Sequence, residues 1–457
     1  MNGSGSSEPT HQERIQALVD AGDIDALARA AEELHPSDIA DILVSLAEEY
    51  QQVALVQALP PGLGSEALAE MEDDEQAGDL LAALEPAAGA ALLHELADDD
   101  AVDLIGELEP HEAHAILEAL PSHEAGELRG LLLYDEETAG GLMTTELVSV
   151  HGNLSAEEAI REIRVRGREV EDFYTVFVVD AADRLLGVVP LDDLILADPW
   201  LAVSEIAQPS PVTIPPGMDQ EEVGRLLSRY NLASVPVCDE AGHLLGRITF
   251  DDVIDVMEAE QTEDILRLAG VSDQEEIRAD WRDAIRSRLP WLALNLFTAA
   301  LASSVVLFFE ETIETLYYVA YIMPIVAGLG GNSGTQALAV TVRRLAIRSG
   351  PLEKRSSVLG KEGLVALVNG AALGLMAFGV AWVVVLAVDD IPVRLPWVVL
   401  GALWGTILIS GTFGAFIPTI LHRLGADPAV ASSVFVTTLT DLVGFLILLG
   451  LATALLL

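Results

Sequence analysis

Long apolar runs with few polar interruptions fill the C-terminal part of the chain. Five such runs occur, and each is longer than the roughly 20 residues that an α-helix needs to cross a bilayer core. They cover residues 289–309, 315–342, 364–388, 395–421 and 429–457. Because a helix in a soluble core rarely runs so far without charge, the pattern predicts a transmembrane domain of five α-helices over residues 289–457.

The N-terminal region shows helical periodicity instead, with a repeat of about 25 residues. Its marker is Leu-x-Pro, which recurs at residues 34–36, 59–61, 84–86 and 108–110. Proline suits the first turn of a helix, because an amide hydrogen at that position has no intrahelical acceptor. Each repeat is therefore expected to hold two short helices, and residues 1–137 are predicted to form an all-α helical-repeat domain.

The middle of the chain changes to short strands and short helices, and this pattern occurs twice. Residues 173–195 and 232–254 each predict a strand, a turn at an acid and a glycine, a second strand, and a helix that opens at paired aspartates. Such a doubled module resembles a tandem pair of α/β CBS domains, here residues 138–200 and 201–258, which are regulatory modules. The charged, periodic residues 259–288 are predicted to form a long connecting helix into the first span.

Charge divides the chain at the same place. The net charge is −48, yet residues 286–457 hold nine acids against ten Lys and Arg, so the imbalance lies upstream. A body this acidic repels phosphates, which disfavours nucleic acid as a partner. Nine of those ten basic residues lie at the boundaries on one side of the apolar runs, and only Arg394 lies on the other. The positive-inside rule thus predicts a multi-pass cell-membrane protein with a cytoplasmic N-terminus and an external C-terminus.

One ionisable residue, Asp441, lies inside an apolar run. A carboxylate at the centre of a membrane costs at least about 2.5 to 3.5 kcal/mol, so such residues usually face a polar pathway and bind a ligand. Hydroxyl residues surround it, among them Thr437, and hard oxygen ligands of this kind suit Mg²⁺ or Ca²⁺. The sequence therefore predicts a metal-binding pathway. Protonation of Asp441, or a hydrogen bond from Thr437 or Thr440, is the purely structural alternative.

The second apolar run carries small and polar residues. It contains Pro324, a cluster of glycines, and the neutral polar side chains Asn332 and Gln336. Close packing of small residues would explain the glycines alone. Asn332 and Gln336 are better explained as polar groups that line a cavity at membrane depth, so Asn332 is a candidate ligand of the pathway.

Acidic residues are dense in the segments expected to lie near the membrane. Like charges packed together need cations to neutralise them, which predicts a metal sensor. A solvated acidic face is the alternative interpretation, because acidic residues occur throughout this half. The candidate ligands are Asp99, Asp103, Asp219, Glu221, Asp252, Asp255, Glu260, Glu263 and Asp264.

Four motifs lie at residues 134–150, 251–270, 324–336 and 427–444. Together, and in this order along the chain, they resemble the MgtE family of Mg²⁺ channels nearly from end to end. The resemblance implies a homodimer whose ion pathway lies between the subunits, lined by the second and fifth spans. It places hydrated Mg²⁺ at Asp441, with Asp427 near the cytoplasmic mouth. It also implies that Mg²⁺ bound by the nine acidic candidates holds the pathway shut, because a ligand that binds only the closed state shifts the population towards it.

Adenine nucleotide is a further candidate ligand, since CBS domains often bind it. Thr249 and Asp252 form a Thr-x-x-Asp that suits a ribose, whereas the matching positions of the first module, Pro190 and Asp193, lack the hydroxyl. The cofactors expected are thus Mg²⁺, both transported and regulatory, and ATP at the CBS domains.

The expected function is a Mg²⁺-selective channel for magnesium uptake, closed by cytoplasmic Mg²⁺. Catalysis is not expected, because the acidic half has no nucleophile triad, phosphate loop or zinc motif, and the single cysteine, Cys238, fits a small buried residue. An ion-coupled secondary transporter of Mg²⁺, Co²⁺ or Mn²⁺ is the alternative that the sequence leaves open. A membrane-anchored sensor or enzyme is a third reading, although a mere anchor does not need Asp441.

Overall fold

The chain is described by a computed structural model that covers residues 15–271, 281–347, 356–424 and 433–457, apart from positions 16, 20, 47, 72, 73, 168, 169, 171, 172, 211 and 389. It divides into two compact units, the first ending at Met257 and the second beginning at Glu258. The first unit contains short helices and two small sheets, and the second contains long helices.

Short helices build the N-terminal part of the first unit. Pro36, Pro61, Pro86 and Pro110 each stand at the start of a helix. The predicted repeat of two helices, opened by a proline, is therefore confirmed. The helices are α1 (Ile24–Ala31), α2 (Pro36–Ser45), α3 (Glu49–Ala58), α4 (Pro61–Ala69), α5 (Asp74–Ala82), α6 (Pro86–Leu93), α7 (Asp98–Gly106), α8 (Pro110–Ala119) and α9 (Glu124–Leu131).

These helices stack in two series, because each packs against the helix two places further along the chain. Helices α2, α4, α6 and α8 form one series, and α1, α3, α5, α7 and α9 form the other. The leucines of the Leu-x-Pro repeats face the core: Leu59, Leu84 and Leu108 are buried, and Leu34 packs against it at partial exposure. Each repeat thus buries the same residue at the same point, as in a helical solenoid.

Two strand–turn–strand–helix modules complete the first unit, in the order predicted. Strand β1 pairs in parallel with β2, and β2 pairs antiparallel with β3; β4 and β5 form a separate antiparallel pair. The prediction of two similar modules is confirmed. Their elements are β1 (Ser149–His151), α10 (Ala156–Arg166), β2 (Thr175–Val179), β3 (Leu185–Pro190), α11 (Leu191–Leu196), α12 (Val203–Ile206), α13 (Gln220–Tyr230), β4 (Ser234–Cys238), β5 (Leu244–Thr249) and α14 (Phe250–Ala269).

The two hairpin turns differ in which residue takes the left-handed conformation. In the second module Gly242 has a φ of 84°, as expected for a glycine in a tight turn, whereas in the first Asp183 takes this role at a φ of 57°. The glycine expected at the first turn, Gly187, lies inside β3 instead, where an added Cβ would meet the backbone of Gln208 at 2.5 Å. Aspartate is one of the few residues that tolerate the left-handed region.

Cys238 is buried at the end of β4. Burial raises the pKa of its thiol to about 11, with a further contribution from the neighbouring Asp239. A thiol that stays protonated at neutral pH is a poor nucleophile, so the interpretation of Cys238 as a small buried residue is confirmed.

The connecting segment differs from its prediction. Helix α14 begins at Phe250, directly after β5, and ends at Ala269, where Gly270 has a φ of 76°. The prediction of one continuous helix over residues 259–288 is wrong, because a left-handed glycine ends the helix at that point. Residues 272–280 lie outside the described residues, and the next helix begins at Trp281.

Long helices make up the second unit. By length and apolar composition, four helices in the described ranges qualify as membrane spans, at residues 284–308, 358–387, 395–423 and 434–456. The helices are α15 (Trp281–Phe308), α16 (Glu310–Thr315), α17 (Met323–Ile347), α18 (Ser356–Ala387), α19 (Leu395–Arg423) and α20 (Ser433–Leu456), with a 3₁₀ turn at Tyr317–Tyr321. Helix α17 is also long, but its sequence includes glycines and polar residues, which reduce its hydropathy.

The second apolar run is not a single helix. Its first part forms the 3₁₀ turn, and α17 starts only at Met323, with Pro324 in the first turn that proline favours. The third helix is longer than its apolar run, because α18 begins at Ser356 and so includes Lys361 and Glu362. The ends of these two helices therefore differ from the ends of the apolar runs.

Glycines bring the long helices into close contact. A Cβ on Gly414 of α19 would clash with the carbonyl of Gly334 on α17. A Cβ on Gly330 would lie 2.7 Å from Thr406, again between α17 and α19. The predicted role of these small residues in close backbone approach is confirmed, because no larger side chain fits there without movement.

Candidate ion pathway and candidate regulatory site

Asp441 lies within α20 and is half-buried. Its neighbour Thr440 is buried and donates its hydroxyl to the carbonyl of Thr437 at 2.8 Å. In the part of the chain that the structure describes, neither threonine donates to Asp441, so the hydrogen-bonded alternative left open by the sequence is not what the helix shows.

Helices α17 and α20, which contain the polar residues of the predicted pathway, pack side by side. A Cβ on Gly334 would lie 2.6 Å from Val436 and 3.2 Å from Thr440, so only glycine permits this approach. Asn332 of α17 is exposed in the single chain. Asp427, the candidate at the mouth of the pathway, lies outside the described residues.

Glu362 is a buried acid that the hydropathy pattern did not single out. It lies in α18 and is 7 % exposed, and its carboxylate is 3.7 Å from the ammonium group of Lys361. The charged pair stands just before the third apolar run, at residues 364–388, so hydropathy does not include it in a span. The signal that identifies Glu362 is the helix start at Ser356, which hydropathy does not report.

In the first unit, Asp99 has unfavourable surroundings for a carboxylate. It lies in the first turn of α7, and its Oδ1 is fully buried with no hydrogen-bond partner. Burial, followed by repulsion from Asp100 and Asp252, raises the pKa of Asp99 well above its usual range. The helical-repeat domain and the second module thus bring two of the predicted ligands, Asp99 and Asp252, to one place.

Asp252 and Thr249 are joined by hydrogen bonds. The Oδ2 atom of Asp252 accepts a hydrogen bond from the Thr249 amide at 3.1 Å and from its hydroxyl at 2.5 Å, as an acid at the third helical position does in a capping box. Burial raises the pKa of Asp252, while the bonds from Thr249 and the charge of Arg247 oppose the rise. The Thr-x-x-Asp motif therefore begins α14.

The other regulatory candidates are divided between the two units. Asp219 accepts the backbone amide of Glu221 and so caps α13, and Glu221 forms an ion pair with Arg225. On α14, Glu263 forms an ion pair with Arg267. The remaining candidates are exposed or half-buried at Asp103, Asp255, Glu260 and Asp264.

The chemistry of the Asp99–Asp252 pair fits Mg²⁺. Within the described ranges, no group of three or more His, Cys, Asp or Glu side chains is arranged to hold a metal ion. Mg²⁺, however, keeps several of its waters and is usually bound by only one or two carboxylates. The buried Oδ1 of Asp99 lacks any other partner, which is the kind of atom that a cation or its water satisfies.

Three family models cover most of the chain. The MgtE model, a divalent cation transporter, matches residues 323–451. The MgtE intracellular N domain matches residues 34–137, and the CBS domain matches residues 139–199 and 203–259.

Individual relatives extend this similarity over nearly the whole chain. The magnesium transporter MgtE of Thermus thermophilus is 37% identical over 449 residues, which cover 97% of this chain and 98% of that protein. The magnesium transporter MgtE of Enterococcus faecalis is 37% identical over 72% of this chain and 71% of that protein. Among solved structures, the cytosolic domain of the Mg²⁺ channel MgtE in complex with ATP is 35% identical with a TM-score of 0.50, and covers 53% of this chain and 98% of that chain.

The fold and the candidate sites define a class of protein: a multidomain membrane transport protein that joins long apolar helices to a helical-repeat domain and two CBS domains. The 37% sequence identity to a magnesium transporter over nearly the full length identifies the family within this class. The chain belongs to the MgtE family of divalent cation transporters.

Proposed function

We propose that this chain forms a Mg²⁺-selective channel that mediates magnesium uptake across the cell membrane. The observation that carries the proposal is Asp441, a half-buried carboxylate on a long apolar helix. Among the described residues, neither Thr437 nor Thr440 donates a hydrogen bond to it. The similarity to magnesium transporters over nearly the whole chain supports the identity of the ion. Thr437, Asn332 and Asp427 complete the proposed pathway.

The proposed channel is a homodimer with its pathway between the two copies, lined by α17 and α20. Each chain contributes five spans, α15 and α17 to α20, with the N-terminus in the cytoplasm and the C-terminus outside. Polar groups at membrane depth must face protein or water, and in the single chain Asn332 is exposed and Asp441 only half-buried. A second copy that faces the same surface would enclose both side chains around an aqueous path.

One carboxylate per chain suits an ion that keeps its hydration shell. Mg²⁺ gives up its waters reluctantly, so a pore aspartate binds it most readily through those waters. Full dehydration would need several acidic ligands at membrane depth, whereas Asp441 is the one acid inside the five apolar runs of residues 289–457. The proposal is therefore a weak, exchangeable site, which is what conduction requires.

Regulation is proposed to reside in the first unit and in α14, that is, in the helical-repeat domain, the CBS domains and the connecting helix. Mg²⁺ bound by the acidic candidates favours the closed channel, because a ligand shifts a conformational equilibrium by its difference in affinity for the two states. The repulsion between Asp99 and Asp252 supports this, since a cation between them removes an unfavourable interaction.

Single-channel recording from the purified full-length protein tests the proposal. With Mg²⁺ as the only permeant cation, we expect unitary current steps, and we expect open times to shorten as Mg²⁺ rises on the side of the N-terminal domain. Replacement of Mg²⁺ by an impermeant organic cation is the control and should abolish the steps. Mg²⁺ uptake into liposomes without any unitary steps would favour the ion-coupled carrier instead.

ATP is a second proposed ligand of the first unit. Tyr174 and Phe250 form an exposed aromatic pair with ring centroids 6.5 Å apart, next to Thr249, and purine rings stack on such surfaces. The ATP complex of a 35% identical cytosolic domain supports this assignment. ATP should shift the Mg²⁺ dependence of the parent channel, and a Tyr174→Ala variant should lose that shift while conducting normally.

A further inference from the structure

Arg247 is an arginine in a place where a charge is costly. It lies on β5 and is only 6 % exposed. Arginine is almost never fully buried unless it is paired, because the guanidinium loses its hydration. Burial lowers the pKa of Arg247, and Asp99, Asp252, Asp251 and Glu146 all oppose that fall. Acids of both the helical-repeat domain and the second module thus lie within electrostatic range of the guanidinium.

Hydrogen bonds of both its backbone and its side chain fix the position of Arg247. Its amide and carbonyl exchange hydrogen bonds with Thr144, with nitrogen–oxygen distances of 2.9 and 3.0 Å. Its Nε donates to the carbonyl of Glu146 at 2.8 Å. Because both the backbone and Nε are hydrogen-bonded, the guanidinium stays within electrostatic range of Asp99 and Asp252.

The first module shows that this place in the fold does not need a charge. Val188 is the residue that corresponds to Arg247 when the two modules are aligned by their hairpins. Its backbone makes the same kind of pairing, with Gln208, at 2.9 and 3.0 Å. The fold therefore does not require a charge at this position, and the positive charge of Arg247 acts instead on the nearby acids.

We propose that Arg247 is a tethered countercation for Asp99 and Asp252 that weakens divalent-cation binding at this pair and so raises the Mg²⁺ level at which it responds. This inference rests on the proposed regulatory function and adds to it the residue that sets the sensitivity. The guanidinium reduces the repulsion between the two carboxylates but leaves Oδ1 of Asp99 without a partner. A cation that reaches this oxygen does so against the repulsion of the nearby guanidinium.

Hydrogen–deuterium exchange on the full-length protein in detergent, titrated with free Mg²⁺, tests the inference without relying on transport. The readout is the Mg²⁺ concentration that gives half-maximal protection of the peptides containing α7 and the β5–α14 junction. Arg247→Met and Arg247→Gln should lower this midpoint by about tenfold, because each removes one positive charge near the ion. The Gln variant retains a donor for Glu146 and covers the case in which Met does not fold.

Two further variants serve as matched controls. Arg247→Lys keeps the charge and should keep the parent midpoint. Arg161→Met removes a positive charge from an exposed pair with Glu157 elsewhere in the first unit, and should also leave it unchanged. An unchanged or higher midpoint in both neutral variants, while Mg²⁺ still protects the parent, overturns the role of Arg247 alone. Absence of any Mg²⁺ protection in the parent overturns the proposed sensing as well.

Discussion

The two units each contain a carboxylate in unfavourable surroundings, and they hold it in opposite ways. In the second unit, Asp441 stands on a long apolar helix, and among the residues that the structure describes neither Thr437 nor Thr440 donates a hydrogen bond to it. In the first unit, Asp99 shares its surroundings with a second carboxylate, Asp252, and with the guanidinium of Arg247. One charge is isolated and the other belongs to a group.

This difference determines what a mutation can reveal. An isolated charge has one role, so its removal should abolish that role. A charge in a group is balanced by its neighbours, so its removal should shift a midpoint or a pH dependence rather than abolish a function. The proposed division of labour, conduction in the second unit and regulation in the first, predicts effects of different size and kind.

The largest effect is expected from Asp441→Asn. The substitution preserves shape and removes the charge, and Mg²⁺ uptake into liposomes should fall by about 100-fold, because the pathway loses the negative charge that attracts the divalent cation. The matched control is Glu314→Gln, which removes an exposed acid from the same unit and should conduct normally. Parent-like, Mg²⁺-selective uptake by the Asp441 variant contradicts the proposed pathway.

A smaller effect is expected from Asp99→Asn. Loss of one negative charge should raise the Mg²⁺ midpoint of α7 protection by about tenfold while open-channel conduction stays unchanged. Hydrogen–deuterium exchange measures the first quantity and single-channel conductance the second. Glu95→Gln, an exposed acid close by in the sequence, is the control and should match the parent. A reduced conductance in the Asp99 variant would contradict the proposal that regulation and conduction reside in different units.

The pH dependence of the first unit sharpens the comparison further. The pKa of Asp99 is raised in the folded state, so folding stability from this group is fully present below its unfolded pKa and is lost as pH rises through the raised value. Asp252, with a pKa raised in the same direction, adds to the loss. Without Mg²⁺, the opening free energy of α7 should therefore fall as pH rises from about 4.

Hydrogen exchange corrected for intrinsic rates measures that opening free energy. The slope should flatten in Asp99→Asn and in the parent at saturating Mg²⁺, because both remove the penalty of the buried charge. An opening free energy that rises with pH in Mg²⁺-free parent protein would mean that other groups dominate this contact.

The features predictable from the sequence are those encoded by neighbouring residues. The helices that begin at Pro36, Pro61, Pro86 and Pro110 follow from the missing amide hydrogen of proline, and the paired modules follow from repeated local patterns. Asp441 stands out because a charge in a long apolar run is rare. Each of these signals lies within a few residues of the feature that it predicts.

The features that were missed depend on distant contacts or on helix ends. Asp99 and Asp103 look alike one turn apart in the sequence, and the repulsion between Asp99 and Asp252 depends on a contact between residues far apart in the chain. Arg247 has no local mark that distinguishes it from a surface arginine in a strand. The end of α14 at Ala269 depends on the conformation of Gly270, which a helical pattern of charges does not reveal.

The smallest effect is expected from Asp193→Asn, the first-module counterpart of Asp252→Asn. Asp193 is exposed and accepts a hydrogen bond from the side-chain amide of Gln208 at 3.4 Å, so its removal should change the Mg²⁺ midpoint by less than about twofold. Asp252→Asn should change it several-fold, since Asp252 lies beside Asp99 in a buried group. Hydrogen–deuterium exchange of the two variants, each titrated with Mg²⁺, compares matching positions of the two modules within the same protein. Equal shifts would mean that the acidic surface as a whole attracts Mg²⁺, as a solvated face does; unequal shifts would assign the response to the pair that the fold brings together.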